Sequence, residues 1–157
     1  MAQNVEPVPN PQAPLTPYIC IRGAAKAIDF YKKAFGAEEL FRMEDPSGKI
    51  GHAEIRVAGG NLMIADEFPE MDFRSPEALG GTPMTLHLYV KDVDAFVDRA
   101  VKAGMTVDRP VADQFYGDRG GKLKDPFGYI WWISTHKEDV SPEELKKRAQ
   151  KAYQERQ

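Results

Sequence analysis

The sequence predicts an α+β fold in which one βαβββ unit is written twice. Three observations carry this. Strand-like runs and a single amphipathic helix follow one another in the same order in both halves of the 157 residues. A glycine ends each helix, at Gly36 and Gly104, and another sits in the last hairpin of each half, at Gly60 and Gly128. Both pairs are 68 residues apart, the mark of a tandem unit legible in pattern rather than in residue identity. Each unit supplies one helix for one sheet face, so the other face needs different cover.

Residues 1–14 are rich in proline and are expected to form a disordered tail. The first unit is assigned to 15–66. LTPYICI (15–21) is β-branched and aromatic, as a strand requires. In the helix GAAKAIDFYKKAFG, Ala24, Ile28, Tyr31 and Phe35 recur at helical spacing. EELFRM (38–43), GHAEIRVA (51–58) and NLMIAD (61–66) are three further strands, punctuated by DPSG and Gly59-Gly60. Residues 67–83 read as a long connecting loop, placed to fold over a site.

The second unit is assigned to 84–137. MTLHLYV is its first strand, and DVDAFVDRAVKAG its helix, with Val93, Phe96, Val97 and Ala100 on one side. MTVDRP, RGGKLK and YIWWIST follow as strands. Residues 138–157 are expected to form a C-terminal helix, with Ser141 as N-cap, Pro142 in the first turn and Glu144 three residues after the cap.

Composition narrows the function. A net charge of −3 offers no electrostatic attraction to nucleic acid or an anionic membrane, and no apolar run approaches the ~18 residues of a transmembrane helix. The single cysteine, Cys20, allows no internal disulfide, fits a cytoplasmic location, and reads as a buried inert thiol within a strand. There is no phosphate-binding GxxxxGK loop, GxGxxG turn, CxxC pair or HExxH helix, and no serine in a nucleophile-elbow context.

Strand alternation sorts the side chains by face. In MTLHLYV, Leu86, Leu88 and Val90 oppose Thr85, His87 and Tyr89. In HAEIRV, Ala53, Ile55 and Val57 oppose His52, Glu54 and Arg56. Ile19 and Ile21 oppose Thr16, Tyr18 and Cys20. In the last strand Trp131 and Ile133 belong with the helix-side core, and Ile130, Trp132 and Ser134 with the other face. Two adjacent tryptophans thus have separate tasks, Trp131 in a core and Trp132 on the wall of a cavity.

The doubled βαβββ order, AIDFYKKAFGAE, HLYVKDVDAFVDRAVKAG and DQFYGDRGGKLKDPFGYIWWIST together resemble the vicinal oxygen chelate superfamily. That family includes glyoxalase I, bleomycin and fosfomycin resistance proteins and extradiol dioxygenases, and the likeness is nearest to its PhnB-like branch. The resemblance implies curved mixed sheets forming a cup with helices outside, and a homodimer. It also implies metal ligands at Thr16, Thr85 and Trp132, where the metalloenzymes carry His, His and Glu. A hydroxyl is a poor ligand for such a metal, and an indole N–H has no lone pair in the ring plane to offer.

The expected function is therefore metal-independent binding of a small molecule, with no cofactor, by Tyr18, His87, Tyr89, Phe115, Tyr116, Arg119 and Trp132. Arg119 reads either as an anion contact for a substrate carboxylate or as a partner of Asp118 and the backbone. The alternative is a metal-dependent lyase, isomerase or dioxygenase with a divalent metal moved to His52, Glu54 and His87. A third reading is a structural or regulatory module whose cup is filled by its own side chains.

Overall fold

The computed structural model describes residues 5–154. The first four residues of the expected tail and the last three of the expected C-terminal helix lie outside the described residues. Residues 5–17 carry no helix or strand, and the Asn61 side-chain amide donates to the carbonyl of Pro11. The chain divides into two compact units, one ending at Gly81 and the other starting at Thr82.

The first unit contains β1 (Tyr18–Cys20), α1 (Ala24–Phe35), β2 (Glu38–Glu44), β3 (Ile50–Val57) and β4 (Gly60–Ala65), with strand order β1-β4-β3-β2. β1 runs parallel to β4, and the other pairs are antiparallel, so the sheet is mixed. α1 forms because Ala24, Ala27, Ile28, Tyr31, Ala34 and Phe35 fall on one stripe, all buried. Gly36 ends it with φ 66°, a left-handed conformation that suits a residue without Cβ. Gly23 at the start has no side chain to cap the helix. Asp66, just beyond β4, does so instead: its Oδ1 accepts from the Gly23 N–H (2.9 Å) and the Ala24 N–H (3.0 Å). Its Oδ2 accepts from the Ile50 N–H at 2.7 Å.

The connecting segment is more ordered than its lack of periodicity suggests. Phe68 and Phe73 exchange backbone hydrogen bonds across a 3-10 turn at Pro69–Met71. A short helix, α2 (Pro76–Leu79), follows, with the Ser75 hydroxyl accepting from the Ala78 N–H at 3.3 Å.

The second unit repeats the pattern as β5 (Thr85–Tyr89), α3 (Val93–Ala103), β6 (Thr106–Asp113), β7 (Asp118–Lys124) and β8 (Ile130–His136), in the order β5-β8-β7-β6. Both parallel ladders pair residues 45 apart, and the hydrogen bonds that follow them, Ile21 N–H to Ala65 O and Val90 N–H to Ser134 O, are offset by 69 residues. Helix starts at Ala24 and Val93 share that offset. At the helix ends the glycine spacing of 68 is one short because α3 has 11 residues where α1 has 12, whereas in the last hairpins the left-handed counterparts are Gly59 (φ 88°) and Gly128 (φ 94°), 69 apart. The cap repeats too: Thr135, the counterpart of Asp66, accepts from the Val93 N–H at 2.9 Å.

The second unit ends in α4 (Pro142–Gln154), which starts at Ser141 as expected: the Ser141 hydroxyl accepts from the Glu144 N–H at 3.3 Å. No residue of α4 is buried. Arg148 ties it to Glu138 through two hydrogen bonds of 2.8 Å.

Alternation in β8 resolves as read. Trp131 is 3% exposed, and its indole N–H donates to Asp125 Oδ2 at 2.9 Å. Asp125 Oδ1 meanwhile accepts from the Phe127 and Tyr129 N–H groups, so one carboxylate fixes both the DPFG turn and the buried tryptophan.

Candidate functional site

In the first unit, the segment after β4 folds back and forms one wall of a cavity of about 290 Å³. Its lining is Tyr18, Gly51, Ala65, Phe68, Met71 and Phe73, almost wholly apolar. Tyr18 meets Phe73 edge-on, with ring centroids 5.3 Å apart, and the Lys49 ammonium stands 4.1 Å from the Phe68 centroid. The Tyr18 hydroxyl brings polarity to this apolar lining. It lies 3.0 Å from Nδ1 of His52, whose Nε2 lies 3.2 Å from Oε1 of Glu54. His52 and Glu54 are two apart on β3 and share a face, so the chain Tyr18–His52–Glu54 runs across the sheet surface. Burial, followed by the nearby Cys20, raises the Tyr18 pKa and keeps the phenol protonated. Burial also pushes the Cys20 thiol up to about 11, with Glu67 and Asp66 adding to the effect, so it is not a nucleophile.

The wall segment is anchored through Glu67. Its carboxylate accepts from Arg22 Nε (2.7 Å), the Ser75 N–H (3.0 Å) and the Ser75 hydroxyl (2.7 Å). These donors hold its pKa down to about 2, with Arg22 the largest cause. Arg22 also donates to Glu77 of α2 at 2.7 Å.

In the second unit, the face opposite α3 gathers His87, Tyr89, Tyr116 and Trp132. His87 and Tyr89 stack at 4.7 Å, and His87 Nε2 lies 3.2 Å from the Ser134 hydroxyl. The Tyr89 hydroxyl donates to Asp118 Oδ2 at 2.8 Å, while Asp118 Oδ1 lies 2.8 Å from His136 Nδ1. Asp118, followed by Asp139, raises the His136 pKa by hydrogen bonding. Phe115 packs edge-on against Tyr116 with centroids 5.3 Å apart. The buried Trp132 indole N–H makes no hydrogen bond of good geometry among the described residues, although it lies close enough to the Tyr116 hydroxyl to act as a weak donor to it. It influences the neighbouring Tyr116 hydroxyl, whose pKa is raised by burial and then Asp118 but lowered by Trp132 and Arg109. Gly120 makes room for this indole: a Cβ there would stand 3.1 Å from Trp132 Nε1 and 2.5 Å from the Ser134 hydroxyl.

The structure brings Tyr18, His52 and Glu54 together in the first unit and His87, Tyr89, Phe115, Tyr116 and Trp132 together in the second. Arg119 departs from the anion-contact expectation. It points to the helix side of its sheet, where Asp94 takes its Nε and Nη2 at 2.8 and 2.9 Å and Asp113 takes Nη1 at 3.1 Å. Nor is Asp118 its partner, because adjacent strand residues face opposite ways. Phe68, Met71 and Phe73 were not anticipated. The available signal was three large apolar side chains stranded within a Pro- and Gly-rich segment that otherwise lacks periodicity.

The residues present do not fit a metal at the positions the fold family uses. Thr16 spends its hydroxyl on the Ala13 carbonyl at 3.0 Å, and Trp132 offers only a donor. Of the relocated set, His52 and Glu54 are bonded to each other at 3.2 Å, and His87 lies on β5. Among the described residues, no three His, Cys, Asp or Glu side chains are grouped to hold a metal. Also among the described residues, no helix is long and apolar enough to cross a membrane.

Comparison with known proteins agrees with this architecture. A protein of Mycobacterium bovis, Mb0911c, is 45% identical over 148 residues, covering 92% of this chain and 93% of its own. TioX from Micromonospora sp. ML1 superposes with a TM-score of 0.64 at 25% identity, over 80% of this chain and 99% of that one. A PhnB protein from Bacillus cereus gives a TM-score of 0.58 at 18% identity, over 78% and 99%. The fosfomycin resistance protein FosX from Listeria monocytogenes, solved as a mutant with Mn(II) and 1S,2S-dihydroxypropylphosphonic acid, gives 0.59 at 17%, over 85% and 94%. The family model for the Glyoxalase/Bleomycin resistance protein/Dioxygenase superfamily matches residues 15–133, and the chain belongs to that superfamily.

Proposed function

We propose that the protein binds small, largely apolar molecules without a metal, in the first-unit pocket between Tyr18 and the Phe68–Phe73 wall. The observation that carries this reading is an apolar lining with a polar group, the Tyr18 hydroxyl, backed by His52 and Glu54. Such a lining gives affinity through burial and orientation through one hydrogen bond. In the second unit, His87, Tyr89, Phe115, Tyr116 and Trp132 are proposed as a further aromatic contact surface. Arg119 is left out because its guanidinium is committed to Asp94 and Asp113. The chain is further proposed to act as a homodimer, which light scattering checks by a mass of twice 17.6 kDa.

The test is isothermal titration with a bicyclic probe, 1-naphthol, in the presence of a chelator. Saturable binding is expected at about 4–6 kcal/mol, a Kd of roughly 0.1–1 mM for a ligand this small. Met71→Glu places a charge on the pocket wall at a residue 76% exposed, so folding is preserved and affinity falls about tenfold. Folded protein that binds no probe overturns the proposal. A dependence of binding on added Mn(II), the ion held by FosX, would instead favour a metal site at His52 and Glu54.

A further inference from the structure

We infer that the first-unit pocket selects molecules carrying a hydrogen-bond donor, an O–H or N–H on a flat apolar body, because Tyr18 presents to them an acceptor and not a donor. The inference rests on the binding reading above and adds the class of ligand.

Proton assignment follows from what each group can do. A carboxylate only accepts, so the 3.2 Å contact between His52 Nε2 and Glu54 Oε1 requires the proton on Nε2. In the tautomer with its proton on Nε2 alone, Nδ1 carries a lone pair. In that tautomer the 3.0 Å contact between Nδ1 and the Tyr18 hydroxyl is donated by Tyr18. Tyr18 has thereby spent its one proton, and what remains on its oxygen is acceptor capacity. Donation into a chain that ends on a carboxylate also enriches that oxygen, making it a better acceptor than an isolated phenol.

The surroundings do not reverse this polarity. Phe41 flanks His52 with ring centroids 6.2 Å apart and offers no hydrogen bond in the ring plane. Lys49, above Phe68, has Glu44 and Asp45 beside it along the neighbouring groove. A ligand ether or carboxylate oxygen facing Tyr18 would meet lone pair against lone pair, with the Glu54 charge behind it. A phenol or amide N–H meets a partner. At about 290 Å³, the pocket suits a one- or two-ring body.

The experiment is isothermal titration of the full chain with 1-naphthol and with 1-methoxynaphthalene, which differ in donor capacity at one oxygen. Naphthol is expected to bind at least ~10-fold tighter, the discrimination of one well-placed hydrogen bond. Tyr18→Phe should bring naphthol to the level of the ether and leave the ether within about threefold, as expected of a lost acceptor. Glu54→Leu frees the imidazole to carry its proton on Nδ1, and the ratio between the two probes should fall. Equal binding of both probes by the unmodified protein overturns the inference and leaves the pocket reading standing. Binding of neither overturns the pocket reading and the inference together. Nitrogen-15 NMR of the His52 ring decides independently of any ligand: a proton on Nε2 alone supports the assignment, and one on Nδ1, with or without a proton on Nε2, overturns it.

Discussion

Asp66 shows how much of this fold hangs on single side chains. It directly follows β4, and its two oxygens accept three backbone N–H groups, two from the start of α1 and one from the start of β3. Asp66 is only 8% exposed, so water is a poor substitute for it. Asp66→Ala should therefore cost about 2–4 kcal/mol, read as a lower urea midpoint at unchanged slope. Asp66→Asn keeps one acceptor and turns a donor towards another N–H, so it should recover only part of the loss. A change below about 0.5 kcal/mol in the alanine variant would mean that the cap is dispensable. None of this was legible in the sequence, because the partners lie 42, 43 and 16 residues away. Trp131 and Trp132 were legible, since alternation is a local geometric rule that needs no tertiary knowledge. Arg119 lies between these cases. Its commitment to an ion pair depends on Asp94, brought from a helix 25 residues earlier, and no local pattern announces that.

The strands and helices emerged from periodicity because burying one face repeats a signal every two or 3.6 residues. The wall segment escaped for the same reason. Its 3-10 turn and four-residue α2 are too short to carry a period, and what holds them is the non-local cluster around Glu67. That cluster has a pH dependence with a definite sign. Glu67 has its pKa lowered from 4.5 to about 2 by Arg22 and Ser75, so the folded state favours the ionised form. The stabilisation is fully present above pH 4.5 and disappears as pH falls towards 2. Across that window the Ser75 N–H loses its acceptor, so its hydrogen exchange should accelerate relative to core amides such as Ile55, and probe binding should weaken in parallel. Glu67→Gln should show the faster exchange already at neutral pH. Protection of Ser75 that stays level with the core down to pH 2 would mean that Glu67 does not anchor the wall.

The doubled architecture was the most legible feature of the whole chain, because each unit solves the same burial problem in the same order. The shared caps, Asp66 and Thr135, show the repeat in chemistry as well as in register. Metal dependence was legible only as a mismatch. The positions where the resemblance implies metal ligands carry threonine, threonine and tryptophan, and no substitution pattern in one sequence says where another site lies. The Tyr18–His52–Glu54 chain supplies a physical argument. The imidazole and the carboxylate are bonded to each other, so a divalent cation would have to displace that bond and still find a third ligand. The expected outcome is less than about 0.1 equivalent of Zn, Mn, Fe, Co or Ni per purified chain, with a thermal midpoint unmoved by EDTA, since a site with no ligand adds nothing through linkage. A resident metal at a hundred times its dissociation constant would contribute about 2.7 kcal/mol, and stripping it would lower the midpoint of a chain this long by about 5–10 °C. A drop of that size, with one equivalent of metal released and restored by adding it back, would overturn metal-independent binding. Repeating the measurement on His52→Asn would then locate the metal: loss of the EDTA response in that variant assigns the ion to the first unit, and its persistence assigns it elsewhere.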